Sequence, residues 1–175
     1  SLIDATESLA FFGIAEIIPA LFVSVCASLV SLNSYSIFSS SKKQHLKYIT
    51  KTIFYISLLF VVGYIICIYF GKFILINIYG DEYYVSALIL PILFASSFFG
   101  ILSNILLNGF ISQSKTIYGT IPIFITVTFY IIIYLTGYEL KIIELAYSSL
   151  ILSIISLLIF CIIFFKIYLN KKIIN

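Results

Sequence analysis

The 175-residue sequence has no arginine, no methionine and a single histidine, and charged residues make up only 10% of it. Without arginine, and without a basic stripe interleaved with aromatics, nothing in it is suited to gripping a phosphate backbone, so nucleic acid is not expected as a partner. Without methionine it has no initiator, so the chain is expected to be a piece of a longer protein that lacks its N-terminal part, and no signal peptide can be judged from it. The end, "KIYLNKKIIN", has the character of a natural terminus, an apolar helix followed by a short basic tail. Cysteine is scarce. Cys26, Cys67 and Cys161 are odd in number, far apart and without CxxC spacing, which argues against a disulfide framework or a zinc site and for buried packing residues. No paired His/Cys set, glycine-rich phosphate loop or HExxH occurs, so no catalytic residue, metal or cofactor is expected.

What the chain does have is apolar surface. Hydrophobic residues make up 62% and the mean hydropathy is +1.20, whereas a soluble domain is about half apolar and about a quarter charged. So little polar surface means that the surrounding solvent is mostly lipid. Five stretches reach the length of about 20 helical residues that a bilayer requires, at about 9–35, 52–70, 87–111, 116–136 and 146–165. Lipid offers no hydrogen bonds to the backbone, and none of the runs alternates like a barrel strand. The expected fold is therefore all-α, a polytopic transmembrane bundle of five helices in a single membrane domain.

The links between these stretches carry unequal charge. Link 38–51 with Lys42, Lys43, Lys47 and Lys51, link 112–115 with Lys115, and the tail with Lys166, Lys171 and Lys172 fall on one side if the helices alternate. The other side has only Lys72 and Lys141, together with Asp4, Glu7, Asp81, Glu82, Glu139 and Glu144. Eight lysines against two predict, by the positive-inside rule, a cytoplasmic basic side and a cytoplasmic C-terminus. His45 lies in the basic link and is expected to be solvated. Link 71–86, "GKFILINIYGDEYYVS", should hold a short interfacial helical turn at 72–79. Tyr79, Tyr83 and Tyr84 suit headgroup depth, Gly80 would close the turn in a left-handed conformation, and Asp81 and Glu82 would sit near the positive end of the next helix.

A few polar residues interrupt the apolar runs. In the first, Gly13, Glu16, Ala20, Ser24, Ala27 and Ser31 share one face. Small residues of this kind let membrane helices approach closely, but an ionised carboxylate at mid-membrane costs about 3 kcal/mol or more. Glu16 must therefore line a wet cavity, meet a cation or stay protonated, and no lysine here is placed to pair with it. Pro19 frees the carbonyl of Ala15 and should kink the helix beside Glu16. In the third run Ser96 or Ser97, Gly100, Asn104 and Asn108 form a second stripe, whose asparagines need partners. Ser149, Ser153 and Ser156 form a weaker one, expected to serve packing, and Thr126 and Thr128 can bond back to their own helix.

Taken together, "FFGIAEIIPALFVSVCASL", "KKQHLKYITK" and "IYGDEYYVSALIL" resemble, in order, spacing and sidedness, the eighth helix, a basic cytoplasmic link and an outer motif of Wzx-type O-antigen and polysaccharide flippases. The resemblance covers the whole chain. It implies helices 8 to 12 of a twelve-helix transporter of the MATE-like flippase superfamily, most of its C-terminal lobe. It further implies translocation of an undecaprenyl-diphosphate-linked oligosaccharide across the bacterial inner membrane. The partners would be the lipid bilayer, that lipid-linked oligosaccharide and other polysaccharide assembly proteins. Glu16, Ser24, Asn104 and Asn108 would then line the substrate cavity, with Gly80, Asp81, Glu82 and Tyr83 forming the outer interfacial motif. The chain departs from the family in having no mid-helix arginine or lysine to hold a diphosphate. The rival expectations are a cation-coupled drug antiporter of the same superfamily, a membrane polysaccharide polymerase or acyltransferase, and a non-catalytic membrane subunit.

Overall fold

The protein is described from a computed structural model, which covers the backbone of residues 2–39, 42–111, 117–137 and 140–170 and the side chains of residues 9–31, 47–111, 117–137 and 140–166. Lys115, Lys171 and Lys172, and the side chains of Asp4, Glu7, Lys42, Lys43, His45 and Glu139, lie outside the described residues. The helices are α1 (Leu2–Ser39), α2 (Lys42–Tyr79), α3 (Tyr84–Ile111), α4 (Ile117–Thr136) and α5 (Ile142–Asn170), with a 3-10 turn at Asp81–Tyr83 before α3. All five are long and apolar enough to cross a membrane, and no strand occurs among the described residues. The chain is an all-α polytopic membrane bundle.

Two links are shorter than the sequence suggests. Lys47 and Lys51 lie on α2 rather than in a loop, because nothing between Lys42 and the apolar run breaks a helix. At its other end α2 continues through Gly71 to Tyr79, so residues 72–79 are not a separate interfacial turn. Leu75 explains this: it is 1% exposed and packs with Cys67, Ala87, Leu90 and Phe94, which ties the end of α2 to α3. The helix stops at Gly80. Its N–H donates to the Ile76 carbonyl at 2.8 Å, and its φ of 104° with ψ of 168° is positive but extended, not the left-handed helical cap expected.

α3 is the centre of the bundle and touches each of the other four helices. α1 and α5 run parallel to it. Near one end Ala15 packs with Ile89, Leu93 and Ala146, and toward the other Cys26 and Val30 join Ile101, Ile105, Phe110, Phe160 and Phe164. Aromatic rings fill the α1–α2–α3 junction, where Phe60 stacks on Phe98 with centroids 4.0 Å apart and Phe22 lies 4.7 Å from Phe94. Gly63 on α2 permits this, since a Cβ there would stand 2.6 Å from the Phe94 ring. Lipid tails are as apolar as these side chains, so the association rests on close packing and interhelical bonds rather than on escape from water. Lys47 and Lys51, beside Ile49 in the Phe110–Phe164 cluster, share an end with Lys166, while Asp81, Glu82, Lys141 and Glu144 lie at the opposite end.

Candidate functional site

Helical periodicity divides α1 into unlike faces. Ala15, Pro19, Cys26 and Val30 are buried. Gly13, Glu16, Ala20, Ser24, Ala27 and Ser31 are all exposed, so the small-residue stripe is not the face by which α1 packs within this bundle. A flank of Ile17, Leu21 and Val25, also exposed, runs beside it. Two surfaces of different chemistry thus lie side by side on one helix, one suited to acyl chains and one not. α1 is a single helix through Pro19, whose ring is fully buried.

Glu16 follows the start of the apolar span at Leu9 by seven residues, about 10 Å along the axis. Among the described residues none hydrogen-bonds or ion-pairs with it. Ser24 is different: its hydroxyl donates to the Ala20 carbonyl at 2.9 Å, which leaves only its lone pairs for a ligand.

The α3 stripe lies beside the lower part of this face. A cavity of about 290 Å³ between α1 and α3 is lined by Ala27, Ser31, Asn104 and Asn108, among others. A larger one of about 420 Å³ opens between α3, α4 and α5. Asn104 lines both, so the two meet on the same side of α3. Neither asparagine side chain has a hydrogen-bond partner among the described residues. The asparagines are thus brought together with Ala27 and Ser31, but not with Glu16. Ala27 lies eleven residues beyond Glu16, about 16 Å down the helix.

The α5 serines, expected to serve packing, are half-buried, and Ser149, Ser153 and Ser156 also line the larger cavity, with Thr126 and Tyr130 of α4. Ser149 and Ser153 also reach Ser96 of α3 through hydroxyl contacts of 3.3 and 3.4 Å. Their helical spacing is visible in the sequence; that α5 lies against the α3 stripe is not. Thr126 bonds back to the Pro122 carbonyl at 3.0 Å, as its position in an apolar helix suggests.

The Gly80–Tyr83 motif stands apart from these cavities. Tyr83 is half-buried, edge-on to Phe11 of α1 at 5.3 Å and 5.7 Å from Tyr79 of α2. Three residues on, the Ser86 hydroxyl is fully buried and donates to the Phe11 carbonyl at 2.7 Å. Gly80, Asp81 and Glu82 are exposed. The motif clasps the ends of α1, α2 and α3, and its acids are exposed. Cys26 and Cys67 are buried and Cys161 is half-buried, each as a free thiol. Comparison of the chain with protein-family models, with curated proteins and with solved structures finds no match.

Proposed function

We propose that the chain forms most of the C-terminal lobe of a polysaccharide flippase. Its cargo would be an undecaprenyl-diphosphate-linked oligosaccharide, moved from the inner to the outer leaflet of the bacterial inner membrane, with the lysine-rich end of the bundle in the cytoplasm. The observation that carries this is the uncovered polar wall. Gly13 to Ser31 of α1, then Asn104 and Asn108 of α3, present an acid and two amides with no partner among the described residues, together with small residues, where a lipid-facing surface would be greasy. Such a wall requires water, a ligand or further helices against it. Amides and hydroxyl lone pairs suit sugar hydroxyls, and alternating exposure of a mid-membrane site is how transporters of repeated halves work. None of the described residues on the wall carries positive charge, so the diphosphate would be held elsewhere in the transporter.

The test is export in cells. Asn104→Leu with Asn108→Leu should lower surface polysaccharide at least tenfold and accumulate lipid-linked precursor while the protein stays folded in the membrane. Normal export by that double variant would remove the reading. Glu16 supports a second one, because an unpaired carboxylate inside a span also suits a cation-coupled antiporter. Small-cation flux in proteoliposomes that is lost on Glu16→Gln, without any change in polysaccharide, would favour it.

A further inference from the structure

We infer that the cavity between α3, α4 and α5 is a binding pocket for one neutral, hydroxyl-bearing ring, selective against charged rings. α4 makes the pocket by standing off. Its buried residues are Gly119 and Pro122, both near its start, and beyond them it is no more than half-buried. At about 420 Å³ the space is of the size that holds small organic ligands.

The lining has a specific hydrogen-bonding character. Ser153 and Thr126 donate their hydroxyl protons to carbonyls of their own helices at 2.8 and 3.0 Å, so toward the pocket they are acceptors, while the Ser149 hydroxyl is shared between the Ala146 carbonyl and Ser96. Asn104 supplies an amide that both donates and accepts, with no partner among the described residues. Ser156 and the Tyr130 hydroxyl likewise make no bond among them. Tyr130 adds an aromatic face on the α4 side. Among the described residues no lysine, aspartate or glutamate lines the pocket, so a charged ligand would meet no counter-ion from them and its desolvation would go uncompensated. Several acceptors, one amide and one ring face together match a polyol ring with an apolar side. The inference rests on the transport reading only for how such a ring reaches this depth.

Tryptophan is absent from the chain, so Tyr130→Trp places a reporter in the pocket. The full protein is reconstituted in nanodiscs, with any tryptophan outside this chain replaced by phenylalanine. Methyl glucoside and N-acetylglucosamine should change the indole emission saturably, glucuronate and glucosamine at least tenfold more weakly. Asn104→Leu in the same background should weaken the neutral sugars about five- to tenfold, the loss expected for one or two hydrogen bonds. Acyl-brominated lipid should quench this indole much less than one at Tyr134→Trp, a position 85% exposed. Equal quenching at both positions with no sugar response would mean that acyl chains fill the space, and equal response to glucuronate would mean that charge is not excluded; either overturns the inference. Should Tyr130→Trp not fold, Val127→Trp carries the same measurement. Sugar binding without export in cells would sink the transport reading alone.

Discussion

Ser86 shows how much one hydroxyl can do in this setting. Fully buried, it bonds the Phe11 carbonyl across the α1–α3 junction, where no water can replace it. Ser86→Ala is expected to destabilise the bundle by about 1 kcal/mol, measured by reversible unfolding in detergent mixtures. Gly63 acts through absence instead. The Phe94 ring under it is 2% exposed and already lies 5.7 Å from Phe60, so it has little room to yield. Gly63→Val should therefore cost about 1–3 kcal/mol, seen as a lower thermal midpoint, whereas the same change at Gly13, which has open space around it, should cost less. Glu16 belongs with neither. It holds nothing together among the described residues, so Glu16→Gln is expected to leave thermal stability unchanged.

At the level of the helices, the contrast is between α3 and α4. Twelve residues of α3 are buried, among them Ile89, Leu90 and Phe110, whereas α4 buries only Gly119 and Pro122. Local stability follows the density of such packing. Hydrogen exchange in nanodiscs should therefore protect the middle of α3 more strongly than that of α4, and a ligand in the pocket beneath α4 should narrow the difference. The start of α5 is held differently, by the Lys141 backbone N–H donating to Glu144 Oε2 at 3.0 Å, the reciprocal half of a capping box. Glu144→Ala should speed exchange over the first turn of α5 and leave its middle unaffected.

For the molecule as a whole, the sidedness of the five-helix weave is the property most open to direct test. Lys47 and Lys51 share an end with Lys166, and Asp81 and Glu82 lie at the other. Cysteines introduced as Lys47→Cys and Glu82→Cys should label from opposite faces of the membrane with an impermeant reagent, each only from its own side. Labelling of both from one face would undo the topology and with it the placement of the polar wall.

Hydrocarbon length, the absence of any polar cover and the charge of alternate links make five membrane helices legible in the sequence, because lipid leaves the backbone no alternative. The α1 stripe and the asparagines of α3 are legible for a related reason: period 3.6 fixes which residues share a face. What that period cannot give is which face meets which neighbour. The exposure of the whole Gly13–Ser31 stripe, the placing of the α5 serines in one cavity with Asn104 and the separation of Glu16 from the asparagines all follow from α3 sitting between parallel α1 and α5. The continuation of α2 to Tyr79 is of the same kind, since Leu75 holds that turn only once Leu90 of another helix is beneath it. Local spacing is written along the chain, whereas the matching of side-chain shapes across helices exists only after the helices have met.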